Sequence, residues 1–155
     1  MKVIIDSDEK RPLDFGEHDI VTETAVEALS FGDYSALYEN GSGEWKSPIF
    51  FERKSINDLF GTLSNDVRIK RFRNEMMRSK EVGAQLIIAV EGTDKDVWDG
   101  IKWSKKKGES ILRTLDTFWV KYDVMPMYCE TREMMVWRMV NLWTTFRRFY
   151  KGRKQ

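Results

Sequence analysis

The chain has 155 residues, 41% apolar and 33% charged, which suits one domain with a real core and is too apolar for a disordered chain. A formal net charge of +1 excludes polyanion binding through overall charge and leaves only local basic patches for it. The single cysteine, Cys129, rules out an intrachain disulfide or a cysteine-based zinc site, and no apolar run reaches transmembrane length.

Met1-Lys2 enters a short apolar run, Val3-Ile4-Ile5, without a signal-peptide pattern. The expectation is a cytoplasmic protein, or a nuclear one in a eukaryotic cell, neither secreted nor membrane-bound. The run reads as a buried strand. Asp6 to Gly16 is charged and contains Pro12, so it reads as a loop. Asp6 and Glu9 follow the strand end, where α/β proteins gather ligand-binding groups; a solvated acidic loop fits as well. The single histidine, His18, lies between Glu17 and Asp19 and reads as a solvated loop residue. No motif of a histidine-dependent nucleophile accompanies it.

Ile20 to Thr24 has strand character, and Ala25 to Leu29 fits helix or strand; both are read as strands. Gly32-Asp33 then falls in a turn leading to Tyr34–Tyr38. Glu39-Asn40-Gly41-Ser42-Gly43 is a turn signal, so Tyr34–Tyr38 and Pro48–Arg53 are expected to form an antiparallel hairpin. That hairpin brings Asp33, at one strand's start, near Glu52 and Lys54 at the other strand's end. Alternation along a strand puts Glu52 and Lys54 on one face and Arg53 on the other. A carboxylate there can hold a hard divalent cation, and the lysine can orient water or offset phosphate charge. An E-x-K pair by itself equally describes solvated surface charge.

Ser55 is a plausible N-cap for a helix beginning at Ile56, with Asp58 in its first turn. Ile56, Leu59, Phe60 and Leu63 keep helical spacing. A second helix spans Asp66 to Lys80, with Val67, Phe72, Met76 and Met77 as its apolar stripe. It carries Arg68, Lys70, Arg71, Arg73 and Arg78, read either as a solvated face or as phosphate contacts. Gln85 to Val90 reads as a central strand covered on both faces, with Glu91 a structural residue or a remote metal contact.

Trp98 and Trp103 are candidates for core or groove. Lys105-Lys106-Lys107-Gly108 reads as a basic loop, a DNA clamp or simply solvated. A helix over Glu109–Tyr122 and a strand over Met125–Cys129 follow. The last helix, Thr131 to Tyr150, has Thr131 as N-cap. Met135, Met139, Leu142, Phe146 and Phe149 recur along it, and Val136, Val140 and Trp143 widen the face beyond one stripe. That surplus suggests a second packing partner. Residues 1–150 are read as a single domain and 151–155 as a basic tail.

Gly32-Asp33, Glu52-Arg53-Lys54 and Asp58 match the pattern G-D…E-R-K-x-x-x-D. The chain thereby resembles the nuclease domain of the XPF-type structure-specific endonucleases, a branch of the PD-(D/E)xK nucleases. The likeness extends over Lys2–Phe15, Leu86–Gly92 and Ile111–Met127, and departs at Asp8, where the family usually has Arg. It implies a restriction-endonuclease-like α/β fold, with a central mixed sheet of about five or six strands flanked by helices. It also implies hydrolysis of phosphodiester bonds in branched or otherwise structured DNA, as in DNA repair and recombination, with Mg²⁺ or Mn²⁺ and no small-molecule cofactor. The implied metal ligands are Asp33, Glu52 and the backbone carbonyl of Arg53. Lys54 would position water or neutralise the transition state, and Asp6 and Glu9 would be outer ligands or hold water. Arg53 itself, facing away, would make a structural ion pair with Asp58. Arg68, Lys70, Arg71, Arg73 and Lys105 to Lys107 would contact DNA. A homodimer or heterodimer through the C-terminal helices is the implied assembly. The competing reading is a catalytically silent DNA-binding or scaffold domain of the same fold.

Overall fold

The structure, a computed structural model, describes residues 1–16, 18–40 and 43–150. Glu17, Gly41-Ser42 and the basic tail at 151–155 lie outside the described residues. Strands β1 (Lys2–Asp6), β2 (Glu23–Glu27), β3 (Tyr34–Asn40), β4 (Gly43–Lys46), β5 (Ile49–Ser55), β6 (Gln85–Glu91) and β7 (Met125–Cys129) form one mixed sheet. Helices α1 (Ile56–Leu63), α2 (Asp66–Glu81), α3 (Asp94–Asp99), α4 (Gly108–Tyr122) and α5 (Arg132–Tyr150) complete the described chain. The order across the sheet is β2-β1-β3-β5-β6-β7, with β4 paired to β3. β5, β6 and β7 run parallel, and β3 is antiparallel to β1, β4 and β5. The fold is α/β, as expected. No helix among the described residues is long and apolar enough to cross a membrane.

Alternation along β6 decides how the sheet is covered. Leu86, Ile88 and Val90 face α1, α2 and α4, while Ile87 and Ala89 face α5. β5 divides in the same way. Ile49 and Phe51 join the α5 side, and Phe50 packs on the other. The parity continues into the charged residues, so Glu52 and Lys54 emerge on the α1/α2 side.

Two sequence expectations change here. The turn after β3 leads first into the short strand β4, from Gly43 to Lys46, which the sequence reading missed. β3 then shares itself, its far end with β4 and its beginning with β5 at Tyr34 opposite Phe51. The apolar surplus of α5 is also largely internal. Met135, Val136, Met139, Val140 and Trp143 are buried, because the loop after β1 drops Leu13 and Phe15 onto the same face. Trp143 packs edge-on against Phe51 and donates its indole N–H to the Ile49 carbonyl at 3.1 Å. On α2, the buried residues are Ile69, Phe72 and Met76, while Val67 and Met77 are exposed. His18 is half-buried, with a buried Nδ1 that has no hydrogen-bond partner among the described residues, so it is not the solvated residue expected.

Candidate active site

Gly32 is the local reason Asp33 stands where it does. Its φ is +59°, and a Cβ there would come within 2.7 Å of the Phe51 carbonyl oxygen, so only glycine lets the turn lie against β5. Two backbone bonds and one to its side chain then lock Asp33 between β1 and β5. Its N–H donates to Phe51 O at 2.7 Å, its carbonyl accepts from Asp6 N–H at 2.7 Å, and its Oδ2 accepts the Arg53 N–H at 2.7 Å. Glu52 Oε1 is ion-paired with Lys54 Nζ, which also sits over the Phe72 ring, 5.5 Å from its centroid.

Asp33, Glu52 and Lys54 thus meet as the sequence predicted. They meet beside a cleft of about 410 Å³ lined by Glu52, Lys54, Asp58, Arg68, Arg71 and Glu75, among others. Burial, reinforced by the charge of Glu52, pushes the Asp33 carboxyl up to about 7. Burial also raises Glu52, by more than Lys54 offsets. On Lys54, burial acts downward, but the neighbouring carboxylates outweigh it and the ammonium is held above its ordinary value. Burial, more than mutual repulsion, thus opposes charge on both carboxylates.

The donor set suits a small hard cation. Among the described residues no hydrogen bond engages Asp33 Oδ1 or Glu52 Oε2, and the Arg53 carbonyl follows Glu52 along the strand. No three carboxylate, histidine or cysteine side chains among the described residues cluster closely enough to cage an ion. Two carboxylates with remaining sites filled by water is how Mg²⁺ is commonly held.

Arg53 belongs to the opposite face. Its guanidinium grips Glu9, with Nε to Oε2 at 2.8 Å and Nη2 to Oε1 at 2.9 Å. It also reaches Glu91 Oε1 at 2.9 Å, where Arg132 joins at 2.8 Å. The predicted pair with Asp58 is absent: the Asp58 carboxylate accepts from the Ser55 hydroxyl, whose oxygen in turn accepts the Asp58 N–H as the N-cap of α1. Glu9 is correspondingly not gathered with Asp33 and Glu52 on the cleft, where the sequence expectation put it. Both its oxygens are engaged by Arg53, on the far side of β5 from Glu52. Asp6 is likewise occupied, accepting Leu29 N–H at 2.7 Å on Oδ1 and Asp8 N–H at 2.9 Å on Oδ2. It ties the loop after β1 to the one after β2. Glu91 is structural.

The basic residues of α2 separate by helical phase. Arg68 and Arg71 line the cleft, whereas Lys70 and Arg73 are exposed outside it. Lys105, Lys106 and Lys107 border a different cavity, and Lys106 Nζ donates to the Leu63 carbonyl at the end of α1. Glu75 went unread in the sequence. Its Oε1 accepts the Gly32 N–H at 2.8 Å, and it lines the cleft seven residues after Arg68 and four after Arg71. That shared helical face was the available signal.

The family model described as the ERCC4 domain matches residues 5–136. The chain belongs to the ERCC4 domain family. Among solved structures, this ERCC4 domain is similar to XPF from Aeropyrum pernix, with a TM-score of 0.69 and 20% identity over 97% of this chain and 67% of that one. It is also similar to XPF from Aeropyrum pernix in complex with DNA, with a TM-score of 0.67 and 18% identity over 95% of this chain and 65% of that one. The chain thus spans about two thirds of the length of either structure, and the likeness establishes the fold they share. A comparison with curated protein sequences finds no match.

Proposed function

We propose that the chain is a divalent-cation-dependent endonuclease that hydrolyses phosphodiester bonds in DNA, with branched or otherwise structured DNA as its substrate. The observation that carries this is the convergence of Asp33, Glu52 and Lys54 on a cleft whose wall is Arg68 and Arg71. One of the structures sharing the fold is described as a complex with DNA. Asp33, Glu52 and the Arg53 carbonyl would hold Mg²⁺ or Mn²⁺. Bound there, the ion would supply Lewis acidity toward phosphate and make water a nucleophile at neutral pH.

The remaining chemistry belongs to the chain. Arg68 and Arg71 attract and seat the phosphates. The Lys54 ammonium, already held charged beside Glu52, stabilises negative charge gathering on the phosphoryl oxygens. The Arg53 N–H bond to Asp33 Oδ2 fixes that carboxylate and leaves Oδ1 for the ion. Phe72 covers the lysine and keeps bulk water from it.

The test is incubation of the purified protein with labelled duplex, single-stranded, flap and four-way DNA, with and without Mg²⁺ or Mn²⁺. Cleavage should need the ion and vanish in Asp33→Ala and in Glu52→Ala while binding persists. Full activity in both variants removes those residues from the reaction.

The proposed assembly is a dimer through the two C-terminal helices the sequence suggested, with Trp119 retained but Phe118 and Trp143 buried inside the chain. β7 is an edge strand, and α4 and α5 pack beside it from opposite faces. The large side chains they leave exposed include Trp119 and Val120 on α4 and Met134 and Trp137 on α5, with Phe149 and Tyr150 at the end of α5, an apolar set suited to a second chain.

A further inference from the structure

The segment between α3 and α4 folds back on α1 instead of trailing in solvent. Trp103 is 59% exposed, yet its indole N–H is bonded to Asn57 Oδ1 at 3.2 Å. The ring is held in one pose with its polar atom already satisfied. It rests over Gly61, where a methyl group would lie 3.8 Å from Trp103 Cη2 and 3.5 Å from Arg68 Nη1. Arg68 lines the cleft containing Glu52 and Lys54, so the indole stands one side chain away from it.

The surroundings are cationic. Lys102, Lys105 and Lys107 border a cavity of about 670 Å³ next to Trp103, and none of the three has an ion pair among the described residues. The two carboxylates on the same cavity are already neutralised, Asp99 by Lys95 and Glu109 by Arg113. Lys106 anchors the segment to the Leu63 carbonyl. Trp98, also 59% exposed, forms part of the wall. A pinned, exposed aromatic face among unpaired lysines has the features that bind a nucleobase and its phosphates. Within duplex DNA the base faces are covered by their neighbours, so the complementary ligand is an unpaired strand.

The geometry points to Trp103, with Lys102, Lys105 and Lys107, as a stacking site for single-stranded DNA that leads into the cleft at Arg68. This rests on the nuclease reading for its place beside the cleft, but its binding can be read without catalysis. In EDTA, a twelve-residue oligothymidine should quench the protein's tryptophan fluorescence and bind better than a closed dumbbell duplex. Trp103→Leu should weaken that binding about tenfold or more and remove most of the quenching. Trp103→Phe should keep most of the affinity. Replacing Lys102, Lys105 and Lys107 with Ala should weaken it and lower its salt dependence.

Wild-type affinity in Trp103→Leu, or equal affinity for the dumbbell with the same dependence on Trp103, overturns the assignment. Should Trp103→Leu fail a thermal-melting check of folding, the lysine variant decides, and wild-type affinity there overturns it. The nuclease reading fails separately. Trp103-dependent binding with no cleavage in Mn²⁺ leaves the stacking site standing, whereas cleavage without Trp103-dependent binding removes it.

Discussion

Glu75 Oε1 accepts the backbone N–H of Gly32 at 2.8 Å, so helix α2 fixes the turn that carries Asp33. A carboxylate on the cleft wall thereby has a positioning role distinct from cation binding. Glu75→Gln keeps a carbonyl acceptor for the N–H and should retain most cleavage. Glu75→Ala frees the turn and should reduce kcat by roughly 100-fold, the size of loss that a small misplacement of reacting groups produces. Rate measurements on the two variants at saturating Mn²⁺ check this. Equal losses in both would assign the effect to charge instead of to the turn.

Arg53 joins Glu9 and Glu91 on the face opposite the cleft, with little exposure of its side chain. Removing the guanidinium leaves Glu9 without its cation, while Glu91 keeps Arg132. Arg53→Ala should destabilise the fold by about 3–5 kcal/mol, read as a lower urea midpoint.

The same network sets an acid limit. Burial opposes charge on Glu9, but the Arg53 hydrogen bond, the Arg11 N–H and the Arg53 charge outweigh it, so its carboxyl sits below the ordinary 4.5. A depressed folded-state pKa means this stabilisation is present above 4.5 and lost as pH falls through the folded value. Wild-type stability should therefore drop in that acid window, and Glu9→Gln should show a shallower drop in parallel melts from pH 7 to pH 3.

Charge reversal should separate the two faces of α2. Arg68→Glu with Arg71→Glu should weaken DNA binding and flatten its salt dependence, by roughly 0.9 in log–log slope for each phosphate no longer neutralised. Lys70→Glu with Arg73→Glu should do so far less. Titrations between low and moderate salt distinguish the pairs, and identical slopes would mean that the cleft does not select the phosphate path.

The proposed dimer gives a contrasting pair of outcomes. Trp119→Glu with Trp137→Glu should halve the mass seen by light scattering while leaving the melt intact. Trp143→Glu should unfold the chain instead, because its ring packs with Phe15 and Phe51 in the core. A wild-type monomer at micromolar concentration would remove the homodimer.

The parts of this molecule that were legible in the sequence are those governed by local spacing. Strand parity placed Glu52 and Lys54 together, and the antiparallel pairing of β3 with β5 that brings Asp33 to them was expected, although the turn leads first into β4. Ser55 and Thr131 announced two helix starts, confirmed by their bonds to Asp58 N–H and Met134 N–H. What failed depended on distant partners. Nothing near Arg53 indicates that Glu9, 44 residues earlier, is its partner, and local spacing points to Asp58 instead. The apolar breadth of α5 was readable, but its destination was not, because the covering residues Leu13 and Phe15 lie in a charged loop. β4 escaped notice because it has four residues, only Trp45 among them apolar.

The alternation of β5 also bears on which length changes the chain can survive. One extra residue between Phe51 and Glu52 would rotate everything after it by half a period. Glu52 would then point toward Glu9 and Glu91, three acids crowded together, while the guanidinium would enter the reaction cleft. The lesion would combine an unfolding defect with the loss of a proposed cation ligand, and no single compensating substitution repairs both. Insertions in this family should accordingly be excluded from the seven residues of β5.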